Sequence, residues 1–396
     1  MDNINEYKLE STLIKILTVD LVFANLLSVL DRFKYLPINV TSWVKIFMII
    51  EFIISLLFVK RNGLKIKKIG ALSVLFILPL FYGLTIGLFK GQMNSKMISH
   101  IYEYIMPILS LPMGYELFSA VKEENSLKKE LERTMVWGGI SYIACVMVFR
   151  IMYFLGFANY NAYGSGTIDY VFPYLLFMGN GTMLPFLLAL AGVLSGKRSI
   201  LIKVALVLLL YVLTERNNNS FQRRIKEFCL ILCGVAIIVY CMKNTVLFNR
   251  IELTIDNFAN EGGDVDLATG GRLSEIKMVV NLIGSNLFSW LFGGGFGTFI
   301  TTESGIVRHY SHFTPLAYVM SAGIIFTIIL FVCLLWYFIR SLCILSKTSR
   351  MFSGYMLMII IGSFFGATMI NEPKIWMIIG ATVAFLYDFD ESVIKG

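Results

Sequence analysis

Long oily runs alternate with short polar links along almost the whole chain. Five runs come first, at roughly 12–30, 43–59, 69–89, 99–120 and 135–157, each near the ~20 residues that cross a bilayer as a helix. Further runs lie at roughly 199–215, 227–244 and 314–338, and two more flank a short turn at 371–374. Between them, "VFPYLLFMGNGTMLPFLLALAGVL" breaks at Gly179–Thr182, with Pro173 and Pro185 on either side. Neither half is long enough to span, so the pattern predicts a broken helical hairpin near 170–197. Such a break is tolerated at membrane depth only where protein or a wet cavity surrounds it. The pattern as a whole predicts an all-α polytopic membrane protein of about twelve transmembrane helices, forming a single integral membrane domain over 1–396.

Charge sets the sides. "KRNGLKIKK" (Lys60–Lys68), "ERNNNSFQRRIKE" (Glu215–Glu227) and "IRSLCILSKTSR" (Ile339–Arg350) are basic and read as cytoplasmic, whereas "NYNAYGSGTIDY" (Asn159–Tyr170) has no basic residue and reads as outside. Both termini then fall in the cytoplasm, and the long polar segment 246–312 is a large external loop. That loop holds an acidic, Gly-rich stretch. After it, Leu273, Ile276, Val279, Val280 and Ile283 recur at helical spacing. They predict an amphipathic helix at the membrane interface. Leu287, Phe288, Trp290, Leu291 and Phe292 follow as a surface anchor.

Composition sharpens this picture. The 396 residues are 57% hydrophobic and 15% charged, against about half and a quarter in soluble domains. The alternating short segments of a barrel are absent. The net charge of +8 sits mostly in short links, where membrane orientation places it, so it is no nucleic-acid footprint. The six cysteines lie in or beside apolar runs without a CxxC, which gives neither a disulfide frame nor a zinc site. The acidic N-terminus does not look like a cleavable signal.

Candidate chemistry gathers near the outer face. "GGGFG" (Gly293–Gly297) is neither a Walker loop nor a dinucleotide fingerprint, since no GK[ST] and no strand–turn–helix unit accompanies it. It reads either as a flexible turn or as backbone brought close to a ligand head group. His312, at the mouth of the span near Pro315, is either a solvated or capping residue or a proton acceptor near neutral pH. His309 and His100 fall on the same side, which favours a shared wet site. Arg198 and Arg272 either snorkel or clamp a diphosphate, whose oxygens a guanidinium binds in pairs. Arg150 lies inside the fifth span, where an arginine costs about 2.5–3.5 kcal/mol and needs a partner or a cavity. Asp20, Glu51 and Glu103 are the candidate partners. The acid pairs Asp264–Asp266 and Asp388–Asp390 read as solvated, so neither a metal nor a cofactor is expected.

Three of these stretches, in this order and with this sidedness, resemble the bacterial O-antigen polymerase (Wzy) and O-antigen ligase superfamily of polytopic glycosyltransferases. "LSGKRSIL" resembles its Ser-Gly-x-Arg element. "TGGRLSEIKMVVNLIGSNLFSWLFGGGFGTF" resembles its external Gly-Arg helix and glycine-rich turn. "HFTPLAYVMSAGIIFTIIL" resembles its His-Asn-x-x-Leu element, with Leu316 and Gly323 in register and Phe313 in place of the Asn. The likeness covers roughly Ser195–Leu330; the first five spans match only in hydropathy.

The resemblance implies an inverting, metal-independent glycosyltransferase at the outer face of the bacterial inner membrane. Its donor would be a glycan on undecaprenyl diphosphate. Arg198 and Arg272 would hold the diphosphate, with Arg308 and Arg150 in support, and His312 would be the general base. The implied partners are that lipid-linked oligosaccharide, membrane lipids and a chain-length regulator protein, with no nucleic acid. A polymerase transferring to another lipid-linked repeat unit is favoured over a ligase acting on lipid A–core or a protein. A flippase for the same lipids would show pseudo-symmetry and broken helices in both halves, and only one break is visible.

Overall fold

The computed structural model describes residues 7–33, 40–62, 66–158, 162–179, 183–214, 229, 272–284, 286–301, 307–308, 311–365 and 372–395. The expected span at 227–244 and most of the loop at 246–312 lie outside them. The described chain is helical apart from one short hairpin. Helices α1 (Lys8–Arg32), α2 (Val40–Asn62), α3 (Ile66–Phe89), α4 (Ser95–Glu123) and α5 (Asn125–Phe154) cover the five leading oily runs. Then come α6 (Thr167–Met178), α7 (Leu184–Leu194), α8 (Arg198–Leu213), α9 (Arg272–Ile283) and α10 (Leu287–Phe292). Strands β1 (Ile300–Thr301) and β2 (Val307–Arg308) precede α11 (Thr314–Cys343), α12 (Lys347–Phe365) and α13 (Pro373–Lys395).

Six helices among the described residues are long and apolar enough to cross a membrane: α1, α3, α4, α5, α11 and α12. This is a helical membrane protein. The expected hairpin is present as two short helices. α6 has 12 residues and α7 has 11, well below a spanning length. α6 is buried nearly all round, from Thr167 to Phe177, so protein surrounds the half that precedes the break.

The chain falls into two compact units, Met1–Phe58 with Glu116–Asn249 and Ile339–Met358, and Val59–Tyr115 with Arg250–Phe338 and Ile359–Gly396. In the first, α1 and α5 run parallel, the relation that the loop charges demand of the first and fifth spans. Their seam carries polar pairs at rising positions on both helices: Ser11 with Glu130 at 2.9 Å, Thr18 with Thr134 at 2.7 Å, and Asn25 with Ser141 at 2.7 Å. Lipid supplies no hydrophobic drive between helices, so hydrogen bonds and close packing at small residues hold them together. Gly138 lets α5 approach both α6 and α1, because a Cβ there would lie 2.9 Å from Val171 and 3.4 Å from Leu21. Asn25 is fully buried, and its backbone carbonyl also accepts from Tyr163 at 2.8 Å. Asn25→Leu is expected to lower the thermal midpoint of purified protein, by about 1–2 kcal/mol of stability, since Ser141 Oγ loses the amide that donates to it and keeps only its own bond to Gly138 O.

The second unit is built around Phe296, whose side chain has no exposed surface. Its ring lies 5.0 Å from Tyr104 and 5.7 Å from His100, in an aromatic cluster with Phe76, Tyr318, Phe326 and Trp376. The glycine-rich turn brings it there. Gly293, Gly295 and Gly297 have φ of 82°, 87° and 91°, conformations that L side chains rarely adopt. The turn also completes α11, which breaks at Gly323 (φ 85°, ψ 173°). Gly294 N–H donates to Met320 O at 2.8 Å, and Tyr82 Oη donates to Ala322 O. The carbonyls freed by the break are thus satisfied by the turn and by α3. On a second face, α4 and α13 cross at small residues: a Cβ on Gly380 would meet Leu111 O at 2.1 Å.

Candidate active site

Glu275 is the hub of the polar cluster in the second unit. It lies in the first turn of α9, on the same stripe as Val279 and Ile283, the three buried residues of that helix. Val279 and Ile283 pack against Ile300 of β1 and against Val319 and Met320 of α11. This packing seats α9 beside the hairpin and the start of α11. β1 and β2 are antiparallel, with Ile300 opposite Arg308, so the hairpin returns Arg308 to the Glu275 end of the helix.

Four donors converge on the Glu275 carboxylate. Oε1 receives Arg308 Nη1 at 3.0 Å and His312 Nδ1 at 2.7 Å. Oε2 receives Ser311 Oγ at 3.0 Å and the His312 backbone N–H at 2.9 Å. Burial alone would raise the Glu275 pKa. The His312 side-chain and backbone hydrogen bonds, the His312 charge and Ser311 outweigh it and bring the carboxyl down from 4.5 to about 2. Glu275 is therefore an anion at any working pH. A carboxylate only accepts, so Nδ1 of His312 carries a proton, and in the neutral tautomer Nε2 holds the lone pair. The His312 side chain is 44% exposed. A half-open imidazole, held in one tautomer by a permanent anion, is the arrangement of a general base.

Arg272 opens the same turn of α9, three residues before Glu275. Its Nη2 donates to Phe365 O at 2.6 Å, and its guanidinium lies 5.6 Å from the Phe365 ring centroid. The structure thus brings Arg272, Arg308 and His312 into one neighbourhood. Arg308 is engaged with Glu275 and lies 3.1 Å from His312 Nδ1, which makes it a support for the carboxylate–imidazole pair. Phe313 turns its ring to Phe364 at 5.6 Å and gives its N–H to Ser311 Oγ at 3.2 Å. Glu275, rather than residue 313, holds the His312 ring and backbone.

Other expectations change. His100 is only 1% exposed, and its Nδ1 accepts the Gly297 N–H at 3.0 Å; it props the glycine-rich turn rather than sharing a wet site. His309 lies outside the described residues. The glycines do need their missing Cβ atoms, but the groups that approach them are helices and their neighbours, not a ligand: a Cβ on Gly295 would lie 2.7 Å from Ile86 of α3. α9 does not lie on a membrane with its whole apolar side, because Val279 and Ile283 are buried in protein while Leu273, Val280 and Leu282 are exposed. Leu287 and Phe288 are exposed too, as an anchor requires.

Arg198 and Arg150 belong to the first unit. Arg198 is the exposed first residue of α8, just past Gly196, whose φ of 77° turns the chain out of α7. Arg150 donates through Nε to Leu194 O at the end of α7, and its guanidinium lies 5.5 Å from the Phe149 ring and 5.9 Å from the Tyr153 ring. It ties α5 to the hairpin. Arg150→Met is expected to lower the thermal midpoint by about 1–3 kcal/mol of stability, since a buried carbonyl loses its donor. The activity per folded molecule should stay the same, which a transfer assay on monodisperse protein would check.

Sequence reading missed Glu275 and Ser311. The signal for Glu275 was present: it is the one acid on the 275, 279, 283 stripe of a helix whose other buried positions are apolar. Among the described residues, no three His, Cys, Asp or Glu side chains gather as a metal set. The chain matches no family model and no curated protein.

Proposed function

We propose that this chain is a polymerase of lipid-linked polysaccharide repeat units, working at the outer face of a bacterial cytoplasmic membrane. The observation that carries the reading is the Glu275–His312 pair, with Nδ1 bound at 2.7 Å and the imidazole half exposed. Nε2 takes the proton of an acceptor sugar hydroxyl. The oxygen attacks the anomeric carbon of a second sugar as its bond to the diphosphate breaks, and the configuration inverts. The leaving diphosphate carries away the electron pair, and Arg272, one of the cations that the family resemblance assigns to it, neutralises it. Breaking the sugar–phosphate bond drives the transfer, so no nucleotide is consumed. The helical, apolar character of the chain and the parallel α1–α5 pair support the membrane placement.

The test is transfer by the purified full-length protein, given a repeat unit on undecaprenyl diphosphate as both donor and acceptor. Chains of several repeats on the carrier are the expected product. A deletion strain that still makes long chains, all left on the carrier lipid, would show that the protein is a ligase instead.

A further inference from the structure

α3 and α10, both in the second unit, flank an apolar groove whose lining includes neither His312 nor Glu275. Its volume is about 710 Å³, within the ~300–1,000 Å³ of small-molecule sites. One wall is a stripe of α3, with Phe81, Thr85, Phe89 and Lys90 at helical spacing. The other is Phe288 and Phe292 of α10, whose rings lie 4.9 Å apart. Tyr82 meets Phe292 edge-on at 5.9 Å and joins the two walls. Phe81, Phe89 and Phe288 are each more than half exposed, so the groove opens off the side of the span rather than closing as a core cavity.

Among the described residues, Lys90 is the charged member of this lining, and no carboxylate shares it. α3 is apolar enough to cross a membrane over Leu72–Phe89, and Lys90 follows directly, at the level where lipid head groups begin. From Lys90 back to Phe81 the stripe is about 14 Å long at ~1.5 Å per residue. One leaflet's hydrocarbon is about 15 Å deep, half of ~30 Å. The groove therefore sets a cation at head-group level above apolar walls that run the depth of a leaflet. Lys90 Nζ donates to Gly294 O at 3.0 Å. That takes one of the three donors of an ammonium, which can hold an anion through the others. One ammonium balances the single negative charge of a phosphodiester. A diphosphate carries two, and an undecaprenyl chain would overrun walls of this length.

We propose that this groove binds one acyl chain of an anionic glycerophospholipid, with the phosphodiester on Lys90. Basic pockets between membrane helices recognise anionic head groups in this way. The proposal stands whether or not the protein transfers glycan. Because Lys90 also holds Gly294 O, a lipid seated there ties the surrounding membrane to the glycine-rich turn.

The test is lipid competition on the full-length protein, delipidated in detergent, with bound lipid counted by native mass spectrometry. The probes are dioleoyl phosphatidylglycerol, dioleoyl phosphatidylcholine and undecaprenyl phosphate. The wild-type protein should retain phosphatidylglycerol in preference to phosphatidylcholine. Lys90→Gln should weaken phosphatidylglycerol binding about fivefold and remove the preference, and Lys90→Arg should keep it. Thr85→Trp fills the groove from an exposed position and should lose the retained lipid with Lys90 intact. Should Lys90→Gln lose its fold with its bond to Gly294, Thr85→Trp decides alone. Equal retention of the two phospholipids by wild type overturns the proposal, as does an unchanged preference in Lys90→Gln or in Thr85→Trp. Displacement of phosphatidylglycerol by equimolar undecaprenyl phosphate overturns it too, because the occupant would then be the carrier lipid.

Discussion

Alanine at His312 is expected to cut glycan transfer by about 10²–10⁴-fold, the range that a general base contributes. The protein should remain folded, because the side chain is almost half exposed. Glu275→Gln is the more informative partner. It keeps the size of the side chain but removes the charge that fixes Nδ1–H and receives Arg308 and Ser311. Transfer should fall by about 10–100-fold, as when the second partner of a functional histidine is lost. Glu275→Asp keeps the charge and should recover part of the rate. Full activity in His312→Ala would remove the base assignment, and with it the observation that carries the proposed function.

Glu275 also makes stability depend on pH, with a definite sign. Its folded pKa of about 2 lies below the ordinary 4.5. The unfolded chain therefore binds the proton more readily, and the stabilisation is complete above about pH 4.5. It is lost as the pH falls through about 2. The gap in thermal midpoint between wild type and Glu275→Gln should be widest near neutrality and close between pH 4.5 and 2. A gap that stayed constant down to pH 2 would mean that the carboxylate is not held by these bonds.

The helices were legible because oily runs of bilayer length leave few alternatives. α1, α3 and α4 lie within a few residues of the expected bounds, whereas α5 starts at Asn125, well ahead of the expected 135, and the hairpin's first half ends at Gly179. His312 was legible by its place at the start of a span. Glu275 was not singled out, because its partners Arg308, Ser311 and His312 lie 33 to 37 residues away and reach it by way of the β1–β2 pair. Linear spacing carries no trace of such closure. The glycine run was read in isolation for the same reason. Its counterpart is Gly323, well inside the next long helix, and neither stretch alone shows that each is shaped to admit the other.

That mutual fit makes Gly323→Ala and Gly87→Ala costly in stability. A Cβ on Gly323 would sit 2.1 Å from Leu291 O, and its φ of 85° is one that alanine resists. A Cβ on Gly87 would sit 2.2 Å from Phe296 O. Phe296 has no room to retreat, because its N–H donates to Gly83 O at 2.8 Å and its ring is wedged in the aromatic cluster. Overpacking costs about 1–3 kcal/mol and a left-handed alanine about 1–2 kcal/mol more. Gly323→Ala should therefore lose on the order of 3 kcal/mol, a large share of a marginal total. Gly91 is the control: its φ of 67° is also left-handed, yet nothing lies within 4 Å of its Cβ position. Gly91→Ala should cost only the strain, about 1–2 kcal/mol. Thermal unfolding followed by size-exclusion chromatography would rank the three variants. Equal midpoints for Gly91→Ala and Gly323→Ala would mean that the break in α11 is not closed by the glycine-rich turn. The expected ranking instead makes Phe296 and its glycines the clasp that holds α3 and α11 beneath His312.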